Sequence, residues 1–423
     1  MSERLLATLR AHANPANVAG MARYGINTAG TLGVPIPVLR RLAKEAGRDH
    51  ALAESLWNSG IHEARILATL VDDPALVTAR QMDRWARDFD SWDVCDQACQ
   101  NLFRFTPLAF AKAAQWARVR REFVRRAGFA LMAGLAVKSK DGTGEQFAAF
   151  LPLIAAAAGD DRNMVKKAVN WALRQIGKRN LRLHKLALAA GAEIANQDSR
   201  SARWIAADAL RELRDPATVG RIRAQGSVER DREFIQIVDA ALADAARRSG
   251  PWLVCRPGCC ECCLGPFAIT QLDAARLRGG LAAMEGSDPA RAARVRQRAR
   301  QAVDRLPELP AGQAAGQAQG DAEFEAWLAE LPDEEPCPAL DPETGACDLY
   351  AARPVTCRVF GPPVRWGGDA LGVCELCFDG ASDQEIAACE VRLDIAQREA
   401  ELLREGEGNT GARGPTLVAL ALI

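Results

Sequence analysis

One feature limits the possible folds more than any other. From the first residue to about residue 245, amphipathic helix patterns follow one another almost without interruption. "IPVLRRLAKEA", "TARQMDRWARDF", "REFVRRAGFALMAGLA", "RNMVKKAVNWALRQIG" and "SRSARWIAADALREL" are examples. Apolar residues recur at helical spacing in each, strand-like alternation is scarce, and short turn signals separate the segments. Helix pairs recurring at roughly 35–45 residues imply a mainly α fold, a HEAT-like α-solenoid with a concave face. A second, compositionally different region follows. It is punctuated by Pro and Gly and holds eleven of the 13 cysteines, all after Gly250. The expected plan is a solenoid domain over 1–228, a linker helix over 229–250, a small cysteine-rich domain over 251–395 and a tail over 396–423. Residues 302–320 read as a flexible loop, 388–405 as a closing helix and 406–414 as disordered.

Charge divides the chain at the same place. Residues 1–250 carry 38 Lys and Arg against 27 Asp and Glu, and residues 251–423 carry 16 against 27. The overall net charge of zero conceals a basic body and an acidic one. Residues 101–180 hold 15 basic side chains to 5 acidic. A basic field on a helical body points to a polyanion, most simply nucleic acid. No apolar run is long enough to span a membrane, and the N-terminal residues read as an amphipathic helix rather than a signal peptide. The expected location is the cytosol or nucleoid of a bacterium, where clustered cysteines bind metal more often than they pair.

Three helical segments carry residues suited to chemistry. In "VKKAVNWALRQIGKRN", Val165, Ala168, Val169, Ala172, Leu173 and Ile176 share the core side, while Lys167, Trp171, Arg174 and Lys178 share the other. An indole among cations fits a nucleic-acid contact. In "EFVRRAGFALMAG", Val124, Ala127 and Leu131 share a face and Arg126 points roughly away from it. In "DSWDVCDQACQNLF", Trp92, Asp96 and Phe103 share a face. Asp90 is placed to cap that helix, with Asp93 at its third position, which leaves Asp96 one turn in. Cys95 and Cys99 read as small buried packing residues. Trp92, Arg126 and Trp171 fall at similar places on successive repeats, so a stacked solenoid would gather them with Asp96 in one cleft.

"SWDVCDQ", "FVRRAG" and "KAVNWALRQIGKRN", in that order, resemble the AlkD-type DNA glycosylases of the DNA alkylation repair family. The resemblance spans about residues 1–225. It implies excision of cationic N3- or N7-alkylated purines from duplex DNA, with Asp96, Trp92, Trp171 and Arg126 as the catalytic set and no cofactor needed for that step. Arg125 stands in if the register shifts by one. Arg125, Lys166, Lys167, Arg174, Lys178 and Arg179 are the expected DNA-binding cations. A monomer is the expected state. The alternative is a non-catalytic nucleic-acid scaffold coupled to a metal- or redox-sensing cysteine domain.

In the second region, "CRPGCCECCLGPFAIT" and "CPALDPETGACDLYAARPVTCRVFG" bring thiols together, and a CxxC follows at Cys374 and Cys377. Gathered thiolates in a reducing compartment need a cation, and soft sulfur selects zinc or iron. The pattern resembles the YkgJ-type family of zinc- or iron-chelating cysteine clusters. The expected ligands are Cys255, Cys259, Cys262, Cys263, Cys337, Cys347, Cys357, Cys374 and Cys377, holding zinc, iron or an iron–sulfur cluster. Cys260 is extra to the C-x3-C-x2-CC motif, so the choice between Cys259 and Cys260, and between Cys262 and Cys263, stays open.

Overall fold

The computed structural model describes residues 1–255, 259–266, 268–308, 321–332, 334–365, 371–410 and 414–423. The chain is mainly α and forms two compact units, Met1–Arg223 and Ala224–Ile423. The boundary falls inside a long helix, Pro216–Ser249.

In the first unit the helices stack in two rows. His62–Val71, Trp92–Asn101, Glu122–Lys138, Asn163–Gly177 and Arg200–Arg214 contact one another in succession. They start roughly 30–40 residues apart, the spacing of a helical-pair repeat. Helices between them, among them Ala109–Trp116 and Leu181–Ala195, form the other row. A single apolar core runs through the stack. At one end Trp57 and Trp85 stack face to face with ring centroids 4.0 Å apart, and Phe103 and Trp116 continue the row.

Helix Asn163–Gly177 follows its sequence pattern closely. Val165, Ala168, Val169, Ala172, Leu173 and Ile176 are all fully buried. Helix Glu122–Lys138 does not divide into a wet and a dry face. It is covered by the helices before and after it and by Ala109–Trp116, and it is buried nearly all round. Arg126, expected to point away from the core, is therefore buried with only 6% of its surface exposed. At the start of helix Trp92–Asn101 the N-cap position is held by Ser91 rather than Asp90, with no side-chain hydrogen bond to the helix backbone. Asp90 instead accepts a hydrogen bond from Asn27 Nδ2 at 2.9 Å. Phe103 lies just beyond that helix, in a short 3-10 turn, and is buried.

The second unit contains helices Gln271–Ser287, Pro289–Asp304, Asp321–Leu328 and Ile395–Thr410, with short strands between. The closing helix runs further than the sequence suggests, so residues 406–410, expected to be disordered, are helical. Residues 411–413, the rest of that stretch up to Gly414, and 309–320 of the expected flexible loop lie outside the described residues. The chain's end returns to the unit's core. Thr416–Leu417 pairs antiparallel with Ala268–Ile269, and Val418, Ala421 and Leu422 are buried against Leu277 and Val295. Among the described residues no helix is long and apolar enough to cross a membrane.

Candidate functional site

Asp96 lies one turn into helix Trp92–Asn101, and Arg126 lies one turn into the next inner helix, Glu122–Lys138. The two side chains meet in a two-pronged ion pair. Arg126 Nε donates to Asp96 Oδ1 at 2.9 Å, and Nη2 donates to Oδ2 at 2.7 Å. The remaining prong, Nη1, donates to the Met164 carbonyl at 2.7 Å. Three successive inner helices are thus tied together near their N-terminal ends. The guanidinium carbon sits 5.9 Å from the centre of the Trp92 ring, within cation–π range.

Burial pushes the Asp96 carboxyl above its ordinary range; Arg126 offsets part of this, and the net direction is up. The Asp96 side chain keeps 18% of its surface exposed. The pairing, both prongs charge-assisted, works against burial and toward the ionised form. Arg126 is held above its usual value by Asp96, against the pull of its own burial.

A loop from the chain's first residues lies against this site. The Tyr24 carbonyl accepts a hydrogen bond from Trp92 Nε1 at 3.0 Å. Gly25 has φ of +72°, and a Cβ there would lie 3.1 Å from Met164 Cε. Below, His62 Nε2 lies 2.8 Å from Asp93 Oδ2 and is almost fully buried. Burial lowers the His62 pKa, but the hydrogen bond and charge of Asp93 outweigh it, and the net direction is up. Glu63, also buried, accepts from the backbone N–H groups of Leu32, Gly33 and Val34. These supports come from positions far away in sequence. A buried His-Glu doublet at a helix start was the only local signal for them.

Trp171 is half-buried and packs against the core. It follows Met164 by seven residues, which places it near the same helix face about 10 Å along the axis. The cations expected to meet DNA are differently occupied. Arg125 bonds the Ala117 carbonyl at 3.1 Å and Asp160 at 3.0 Å. Arg174 and Lys178 both pair with Glu212. Arg179 donates to the carbonyls of Ala136 and Ser139 at 2.9 and 2.7 Å. Lys166 Nζ lies 5.0 Å from the ring centre of Trp204, which is 41% exposed. Lys167 is exposed. Trp204, an exposed indole beside a lysine on neighbouring inner helices, was not singled out by sequence, because its segment reads as one more amphipathic helix.

Residues 5–213 match the family model for DNA alkylation repair enzymes. The first unit carries a DNA alkylation repair-like domain. Residues 254–375 match the CxxCxxCC zinc- or iron-chelating domain. Three solved structures show partial likeness to the chain. One is described as a new family of proteins related to the HEAT-like repeat DNA glycosylases with affinity for branched DNA structures. It has 17% identity and a TM-score of 0.43, and covers 49% of this chain and 94% of that one. A designed armadillo repeat protein, YIII(Dq)4CqI, has 16% identity and a TM-score of 0.22, covering 41% of this chain and 91% of its own. A second, YIII(Dq.V1)4CPAF in complex with the peptide (KR)4, has 14% identity and a TM-score of 0.24, covering 46% and 83%. Among proteins of curated function, none matches the chain.

In the repair-like domain Cys95 and Cys99 are fully buried and free. Their thiols lie 3.5 and 3.6 Å from the carbonyls of Phe123 and Ala127, and they pack between helices. In the chelating domain, too, the cysteines form no disulfide among the described residues. All four histidines of the chain precede residue 185, so only sulfur and carboxylate side chains are available there as metal ligands. Among the described residues, no three His, Cys, Asp or Glu side chains close around a common point as placed. One thiol pair, Cys255 and Cys377, has its sulfurs 3.9 Å apart. A tetrahedral zinc with Zn–S bonds of about 2.3 Å separates its sulfurs by about 3.8 Å, so this pair fits one edge of such a site.

Proposed function

We propose that the repair-like domain excises cationic N3- or N7-alkylated purines from duplex DNA. The Asp96–Arg126 pair under the Trp92 ring carries this reading. Alkylation at those nitrogens leaves the base positively charged, so the glycosidic bond breaks without a general acid. The protein must then stabilise an oxocarbenium-like sugar and present water. An ionised Asp96 supplies the countercharge and can accept the proton of the attacking water, since each carboxylate oxygen keeps a lone pair beyond its bond to Arg126. Arg126 keeps the carboxylate ionised and aimed. Trp92 and Trp171 offer indole faces to the cationic base or sugar. In this role Arg126 is a positioning residue, and phosphate contact falls to other cations, Lys166 and Lys167 first.

One observation supports the alternative, a nucleic-acid scaffold without catalysis: both Asp96 oxygens are already bonded. Measuring free 3-methyladenine and 7-methylguanine released from methylated duplex DNA decides between them. Wild-type protein should release base, and Asp96→Asn should slow release by about 10²–10³-fold. DNA binding with no release by wild-type protein would establish the scaffold, and equal release by Asp96→Asn would remove Asp96 from the chemistry.

The second unit, in this reading, holds zinc or iron through Cys255, Cys259, Cys262, Cys263, Cys337, Cys347, Cys357, Cys374 and Cys377. A bound ion there would lock short, loop-rich segments together, as structural metals do in small domains.

A further inference from the structure

We infer that the cysteine domain holds metal at two separate centres, with Cys255, Cys259, Cys374 and Cys377 forming one and Cys262, Cys263, Cys337, Cys347 and Cys357 supplying the other. The inference rests on the metal-binding reading of the second unit and deepens it. It also divides a single motif, because C-x3-C-x2-CC sends its first two thiols one way and its last two another.

The backbone makes the division. The segment after the long helix is tied to the CxxC turn, with Phe378 N–H donating to the Trp252 carbonyl at 2.9 Å. Cys374 and Cys377 share a small apolar cluster with Trp252, Leu253, Phe378 and Cys389. Cys255 reaches into it, its sulfur 3.9 Å from that of Cys377. Gly361 makes room for Cys255: a Cβ at that glycine would lie 3.2 Å from the Cys255 sulfur. Eight residues further on, the chain has joined a different body. Cys337 N–H donates to the Cys263 carbonyl at 2.8 Å, Leu264 bridges to Pro336, and Leu340 bridges to Cys347. Cys337 and Cys347 pack on the core built from Leu277, Leu281, Val295 and Leu349, not on the Trp252 cluster.

The electrostatic neighbours sort in the same way. The thiols that act most strongly on Cys255 are Cys377, Cys374 and Cys259. Those that act most strongly on Cys357 are Cys337, Cys262 and Cys347. No thiol of one group is among the principal influences on these members of the other. Four sulfurs suffice for a tetrahedral ion, and five leave one in excess at the second centre. Backbone bonds already tie the Trp252 segment to the CxxC turn in one group, and Cys263 to Cys337 in the other.

The test uses the full-length chain, reduced and stripped of metal, with zinc ion as the probe. Wild-type protein should take up two tightly held zinc ions. The double variant Cys255→Ser with Cys374→Ser should keep one, Cys347→Ser with Cys357→Ser should keep one, and the quadruple variant none. A measurement on wild-type protein guards against misfolded variants. Zinc-loaded protein is titrated with a chelator while newly exposed thiols are alkylated and mapped by mass spectrometry. Cys255, Cys259, Cys374 and Cys377 should become reactive as one group, and Cys262, Cys263, Cys337, Cys347 and Cys357 as another. A single zinc per wild-type chain, or simultaneous exposure of all nine thiols, overturns the two-centre arrangement while leaving metal binding intact. Wild-type protein that takes up no zinc and no iron overturns the metal-binding reading itself.

Discussion

Replacing Arg126 with methionine is the most informative perturbation of the first unit. Methionine fills much of the same volume, so the loss is chiefly electrostatic. Three hydrogen bonds disappear: two to Asp96, at 2.9 and 2.7 Å, and one to the Met164 carbonyl, at 2.7 Å. Breaking a buried ion pair from one side costs about 3–5 kcal/mol, because the other charge stays buried without a partner. Asp96 keeps some solvent contact, so the expected loss is near the lower end, about 3 kcal/mol. The loss should depend on pH in a definite sense. Without Arg126 the effect of burial on Asp96 is unopposed, and the neighbouring Asp93 charge adds to it. The folded-state pKa then lies further above the unfolded value. A raised pKa means stability that is present below the unfolded value and lost as pH climbs through the folded one. The deficit of Arg126→Met relative to wild type should therefore grow as pH rises and shrink as pH falls toward the unfolded carboxylate range. Urea unfolding followed by circular dichroism measures it. Adding Asp96→Asn removes the stranded charge, so the double variant should recover about 1–3 kcal/mol relative to the sum of the singles. A pH-independent deficit, or strict additivity, would refute the argument that these side chains act as one unit.

Three further outcomes follow from the structure. His62, raised by its Asp93 partner against burial, contributes stability that is fully present below about pH 6.5 and fades as pH rises through its folded value. His62→Gln cannot ionise, so its thermal unfolding should lack the loss that wild-type protein shows as pH rises above about 6.5. Gly33 has φ of +77°, and a Cβ there would lie 2.3 Å from the Asn14 carbonyl oxygen. Gly33→Ala should cost about 3 kcal/mol in urea unfolding, and a near-neutral result would mean that the turn relaxes freely. Burial and the nearby charge of Asp273 push Glu399 up to about 7, although Arg276 pulls it down. The second unit should therefore lose stability as pH rises through 7. Calorimetry of Glu399→Gln should show that loss abolished, and an unchanged pH profile would place its origin elsewhere.

How far the sequence could be read depended on where the information lay. The burial of Val165, Ala168, Val169, Ala172, Leu173 and Ile176 was legible because their helix has one wet face, so the 3.6-residue period maps onto the core. The same period carries no such information for Arg126, whose helix is covered on nearly every side. An arginine there is read as solvated by pattern and found buried in space. The misplaced helix cap has a similar origin. Asp90 has the right chemistry for the cap, but Asn27 engages it from 63 residues away, and Ser91 takes the position instead. The cysteines show the limit most clearly. Their number and type were legible, whereas their partners depend on backbone pairings such as Cys263 with Cys337, which no local spacing encodes.

The site also resolves a conflict built into the chemistry proposed for it. A carboxylate that must stabilise developing positive charge acts best away from water, where electrostatic interactions are strongest. Burial, however, favours its protonated form. Three successive helices meet that difficulty with one side chain. Arg126 holds Asp96 through both oxygens and anchors its third prong on the Met164 carbonyl, so a shift of any one helix would loosen the pair. The pair that favours the charged form depends on the repeats being in register. The same commitment withdraws Arg126 from the DNA backbone. Arg125, Arg174, Lys178 and Arg179 are also engaged within the protein. Excess positive charge alone therefore does not identify the binding face. Cations that keep solvent contact, such as Lys167 and the Lys166–Trp204 pair, are better placed to meet DNA without first giving up an internal bond.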